Sequence, residues 1–149
     1  MTLKEIIENG ASCLTIPTPT TLFPRPENAI QFVLDKFQQG SSLSDSLKDD
    51  IRFVVSEGIA NAAVWGNCLD PSKKIKIFTL WKGKYFYLVI KDEGKGFDIN
   101  NPIYHASPPE GSLGLMYMKK LAEMVYNFND NALYIIIKKP SSKNKKSIK

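Results

Sequence analysis

Apolar residues recur along the chain in two rhythms, and the switches between them mark out its elements. From Glu27 to Gln39, Ala29, Ile30, Val33, Leu34 and Phe37 fall at helical spacing, and Gly40 is a natural stop. The linker "GSSLS" then offers several N-cap residues. A second helix is predicted over about residues 44–66, where Leu47, Ile51, Val54, Val55, Gly58, Ala62 and Trp65 share one arc of the wheel. Asp50, Glu57 and Asn61 lie just outside that arc, together on one side. Glu57 and Asn61 are four residues apart, about 40° around the wheel, so their side chains can reach one point.

Period-two segments surround these helices. "ASCLTIP" (11–17) reads as a short edge strand ended by prolines at 17 and 19, and "TPTTLFPRP" as a connecting loop. "KKIKIFTLW" and "KYFYLVIKD" form a predicted antiparallel hairpin joined through Lys82-Gly83. In its second strand Phe86, Leu88, Ile90 and Asp92 share a face, so helices covering that face would turn Asp92 inward. Residues 99–112, "INNPIYHASPPEGS", have no period and three prolines, as a functional or mobile loop does. A third helix is predicted over about 113–125, with Leu115, Met118, Leu121, Ala122 and Val125 inward, and "ALYIIIKK" closes the domain as a strand. The order predicts a two-layer α/β sandwich, its mixed, mainly antiparallel sheet carrying helices on one face.

Length and charge narrow the picture. A 149-residue chain is one domain and buries roughly 68–70% of its unfolded surface, enough for a core without metals or disulfides. Two cysteines, Cys13 and Cys68, make neither a metal cage nor a disulfide framework. No apolar run approaches the ~18 residues of a membrane span, and the expected location is the cytoplasm. Six of the charges behind the formal +5 are lysines in the last twelve residues, "KKPSSKNKKSIK", so the preceding 137 residues carry −1. The expected organisation is a domain over 1–139 and a disordered basic tail over 140–149, with no direct binding of nucleic acid.

Three short stretches carry candidate chemistry, in order: an acid and an amide on one helix, an acid with glycines after a strand, and glycines before a second helix. Each alone has an ordinary structural explanation, as a solvated pair, a turn or a loop-to-helix junction. Together, "EGIANAAVWGN" (57–67), "DEGKGFD" (92–98) and "GSLGLMYMKKLAEMV" (111–125) resemble the three boxes of the histidine-kinase-like (GHKL-type) ATPases. Within that superfamily the chain looks most like the small anti-sigma-factor serine kinases. The resemblance spans about residues 12–139. No P-loop, no G-x-G-x-x-G and no nucleophilic triad accompany it, and the lone histidine, His105, falls in the loop.

The resemblance implies roles for individual residues. Asn61 would give its side-chain oxygen to Mg²⁺, which commonly takes only one or two protein ligands. Glu57 would orient or deprotonate the attacking hydroxyl. Asp92 would accept a hydrogen bond from the adenine amino group, with Gly94 and Gly96 letting the backbone pass close to the ring. Gly111, Ser112, Leu113, Gly114 and Leu115 would hold the ATP phosphates at a helix N-terminus, where the dipole favours anions. Residues 99–111 would be the ATP lid between the second and third boxes. Trp65 stands where the family often has histidine; packing in the core or pocket wall and stacking on the nucleotide are both open. Ser112 replaces a usual glycine and adds a hydroxyl donor.

The implied function is an ATP- and Mg-dependent serine-protein kinase and anti-sigma factor. It would sequester a sigma factor in one state and phosphorylate an anti-anti-sigma protein in another, as a homodimer. The alternative is a non-catalytic, nucleotide-dependent binding module that regulates a signalling partner. A sensor histidine kinase fragment fits less well, because His105 lies in the predicted lid.

Overall fold

The computed structural model describes residues 1–21, 25–94, 123–127 and 130–141, the segment 123–127 by its backbone alone. In chain order these form α1 (Leu3–Glu8), β1 (Ser12–Pro17), α2 (Glu27–Gln38), α3 (Asp45–Asn61), a π-helical turn (Ala62–Gly66), β2 (Lys74–Lys82), β3 (Tyr85–Lys91), β4 (Glu123–Asn127) and β5 (Ala132–Lys138). The sheet has the strand order β1-β2-β3-β5-β4, and every described pairing is antiparallel. The architecture is the two-layer α/β sandwich that the pattern predicts.

The helical layer follows from the 3.6-residue rhythm. Val33, Leu34 and Phe37 of α2 and Ile51, Val55 and Ile59 of α3 are buried against Ile77, Leu88, Ile90 and Ile135 of the sheet. Ser44 caps α3 by accepting a hydrogen bond from the Leu47 N–H at 3.1 Å. The predicted single helix over 44–66 changes character after Asn61. From Ala62 its turns widen, with the Asn67 N–H donating to the Ala62 carbonyl five residues back at 2.8 Å. Cys68 and Leu69 then reverse the chain with φ of 53° and 58°. Cys13 and Cys68 are separate, exposed thiols.

At the hairpin end of the sheet, Phe37, Trp81 and Phe86 pack ring against ring, with centroids 5.0–5.1 Å apart. The Trp81 Nε1–H also donates to the carbonyls of Lys36 (3.2 Å) and Phe37 (3.1 Å). One indole thus fills the core and adds a second kind of donor to carbonyls of the last turn of α2 that already accept backbone N–H groups. Trp81 and Phe86 also line a cavity of about 240 Å³.

Three local features differ from the pattern reading. The hairpin loop is Gly83-Lys84, because Lys82 pairs with Tyr85, and Gly83 at its first position has φ of 59°. Residues 123–127 form β4, so the helix predicted to run to 125 does not reach that far, and Val125 lies on a strand. The period test could not separate helix from strand in so short an apolar stretch. The rest of that predicted helix lies outside the described residues, as do the loop over 99–112, the tail beyond 141 and His105. Finally, α1 had no counterpart in the pattern reading. Thr2 and Glu5 form a capping box at its start, and Leu3 and Ile6 pack on Phe78, Val89 and Tyr134, on the sheet face away from α2 and α3.

Phe86 is fully buried between two rings. Phe86→Ala is expected to cost about 3–5 kcal/mol, read as a lowered urea midpoint with an unchanged slope. A loss under about 1 kcal/mol would mean the aromatic junction is not part of the cooperative core.

Candidate functional site

The site begins with how closely α3 lies on the centre of the sheet. Gly58, on the buried side of α3, has the Ile90 side chain where its own Cβ would be. Two turns later, a Cβ on Gly66 would overlap the Asp92 carboxylate. A Cβ on Gly94 would in turn overlap the Gly66 carbonyl. None of these three glycines has a positive φ, so they serve close approach and not backbone freedom. The expectation for Gly94 was passage of the backbone beside a nucleobase; in the chain itself, the close neighbour is Gly66.

Strand parity does what the sequence predicts. Phe86, Leu88 and Ile90 are buried under the helices, and Asp92, next on the same face, is only 1% exposed. Burial pushes its pKa above the ordinary aspartate value; the Gly94 N–H and the charges of Lys91 and Lys73 pull the other way and only partly offset it. The Gly94 N–H donates to Asp92 Oδ1 at 2.8 Å.

The helix side brings up the other described residues. Glu57 is half-buried on α3, and burial raises its pKa. Asn61, at the last position of α3, is 3% exposed. Trp65 is half-buried in the π-helical turn and packs against the main core. Because Gly66 touches Asp92, the end of α3 and the end of β3 meet at one place. Glu57, Asn61, Asp92 and Gly94 therefore belong to one end of the sheet, opposite the Trp81 cavity. Gly96, Gly111, Ser112, Leu113, Gly114 and Leu115, together with the lid expected over 99–111, lie outside the described residues.

Two residues that the pattern reading assigned no role stand out here. Asn67 is fully buried just past the π-helical turn. Its Nδ2 donates to Thr18 Oγ1 (2.8 Å) and to the Lys74 carbonyl (3.1 Å), and its Oδ1 accepts from the Glu93 N–H (2.7 Å). Asn131, with φ of 50°, donates from Nδ2 to the Gly94 carbonyl (2.8 Å), while its own carbonyl accepts from the Asp92 N–H (2.9 Å). The Glu93 carboxylate accepts from the Lys74 N–H. Only the "DN" before the last strand hinted at this, as a turn signal; Asn67 gave no sign.

The model of the histidine kinase-like ATPase domain matches residues 24–138, well over half of the chain, and the chain belongs to that family. It is a GHKL-type ATPase domain, and the nucleotide that such a domain binds is ATP. No curated protein matches the chain. Among the described residues, no helix is long and apolar enough to cross a membrane.

A buried carboxylate with a raised pKa leaves a signature in stability. The native state keeps the Asp92 proton to higher pH than the unfolded chain does. Its contribution is therefore fully present below about pH 4, the unfolded range, and is lost as pH rises through the folded pKa. Asp92→Asn keeps an oxygen for the Gly94 N–H but has no charge to bury. Urea titrations from about pH 4 to pH 7 should show wild type losing more stability than the variant, which at pH 7 unfolds at an equal or higher midpoint. Identical pH profiles would contradict the assignment.

Proposed function

We propose that this domain is an anti-sigma factor and serine-protein kinase of a partner-switching system. In this reading it is cytoplasmic and homodimeric. It holds a sigma factor in one state and phosphorylates a serine of an anti-anti-sigma protein in another. The observation that carries the reading is the meeting of two chain segments at one end of the sheet: the Asp92 carboxylate, buried under Gly66, beside a helix end bearing Glu57 and Asn61. Family membership supplies the context.

The residues present fit ATP and Mg²⁺. A buried acceptor at a strand's end suits the exocyclic amine of adenine, and an amide oxygen suits a hard cation that keeps most of its shell for phosphate and water. When bound, ATP supplies the transferable phosphoryl group and Mg²⁺ offsets its negative charge. Asp92 orients the base by accepting from its amino group. Asn61 gives its side-chain oxygen to the metal. Glu57 takes the proton of the attacking serine hydroxyl. Partial burial suits Glu57 to that task, because a carboxylate with a raised pKa is a stronger base near neutrality. Trp65 forms part of the pocket wall from its place in the π-helical turn. The segment 111–115 is the proposed phosphate cradle. Phosphorylation would release the anti-anti-sigma partner by adding about −1.5 to −2 of charge at the interface.

Calorimetry with Mg-ATP tests the site. Asp92→Asn is expected to lose the preference for adenine, and Asn61→Ala the metal-dependent part of the affinity; unchanged binding in both would remove the site. Glu57→Ala should retain ATP and lose about 10²–10⁴-fold in transfer to serine, followed with radiolabelled ATP and candidate anti-anti-sigma proteins. Full turnover in that variant would take Glu57 out of the mechanism. Tight ATP binding by wild type with no phosphoserine formed would favour the non-catalytic binding module.

A further inference from the structure

We propose that Asn67 and Asn131 are positioning residues for base selection, a pair of amides that grips the Asp92–Gly94 turn from two sides and fixes the direction of the Asp92 carboxylate. The inference rests on the reading of Asp92 as the acceptor for the adenine amino group. An ordinary Asp-Gly turn after a strand needs one local hydrogen bond, and here the Gly94 N–H supplies it to Asp92. The backbone of this turn makes three further bonds, each with a residue distant in sequence. Asn131 receives the Asp92 N–H and donates to the Gly94 carbonyl, and Asn67 receives the Glu93 N–H.

Both amide orientations follow from their partners. Rotating the Asn67 amide by 180° would set its NH₂ against the Glu93 N–H and its oxygen against the Lys74 carbonyl. Rotating that of Asn131 would set oxygen against the Gly94 carbonyl. Asn67 spends both donors and its acceptor on this arrangement while fully buried, tying the turn to the end of the α3 segment, to Thr18 after β1 and to the start of β2. Asn131 ties it to β5 and adopts a left-handed conformation that few residues other than glycine accept. A carboxylate that reads one amino group must hold its angle, since hydrogen bonds weaken steeply off axis. The two amides meet that need through backbone, without touching the carboxylate themselves.

The test uses ATP and inosine triphosphate, which differ at the six-position amino group, with Mg²⁺ present in both titrations. Asn131→Gly keeps the backbone bond and the left-handed φ and removes only the grip on Gly94; Asn67→Ala removes the acceptor for Glu93. In each variant the ratio of ATP to inosine triphosphate affinity should fall about tenfold, the scale of one misplaced hydrogen bond, with inosine triphosphate affinity changed less than about threefold. Amide exchange at Glu93 in the nucleotide-free protein should speed up in Asn67→Ala, and at Gly94 in Asn131→Gly, while the Asp92 amide, whose bond to the residue-131 carbonyl is kept, stays protected. If Asn67→Ala does not fold, Asn131→Gly decides the matter alone. A wild-type preference for ATP that the folded variants retain in full would overturn this inference and leave the Asp92 reading standing. No preference in wild type would overturn both.

Discussion

The helix α3 lies directly on the centre of the sheet, backbone against side chain, and the site depends on that contact. At Gly58 the helix accepts Ile90 in place of its own Cβ, and at Gly66 it accepts the Asp92 carboxylate. A methyl group at either position would lift the helix end away from β3 or push the strand end aside, since packed interiors have no spare volume. The π-helical turn from Ala62 to Gly66 gives the chain its last adjustment, delivering Gly66 to Asp92 and leaving Asn67 inside. Glu57 and Asn61 are carried on a helix whose height above the sheet is set by missing side chains.

Burying Asp92 runs against folding. A carboxylate removed from water is destabilising unless its partners replace the lost hydration, and one N–H with two nearby lysine charges does so only in part. An apolar or amide side chain would suit a domain selected for stability alone. Retaining the acid fits a function that uses its acceptor capacity, and burial strengthens any hydrogen bond made there by excluding competing water. The raised pKa of Glu57 has the same cause, on the facing helix.

Much of this was legible in the chain. Parity from Phe86 to Asp92 places the acid under the helices, because strand side chains alternate strictly. The i, i+4 relation of Glu57 and Asn61 was equally direct. The order of the three boxes pointed to the family that the comparison with family models bears out. Other features were hidden for physical reasons. A wheel drawn at constant pitch cannot anticipate a π-helical turn, and it left Asn61 at the margin of an arc although the residue is buried. Asn67 acts through bonds to Thr18, Lys74 and Glu93, residues 49, 7 and 26 positions away, and no local pattern encodes such a junction. The capping box of α1 was a usable signal, but six residues are too few for a period. At β4, "EMVYN" satisfies both rhythms, and only its pairing with β5 decides between them.

The turn from Asp92 to Gly94 reaches the end of folding with its backbone already held by Asn131, just before β5, and by Asn67, just past the α3 segment. The conformational entropy of those three residues is surrendered when the domain folds, not when a ligand arrives. On the proposed reading of Asp92, a base docking there has little ordering to impose, so the thermodynamics at that end of the site should reflect mainly the stripping of water from a planar ring, the carboxylate having lost its own on folding. Any slow rearrangement that accompanies nucleotide capture would then originate elsewhere in the chain.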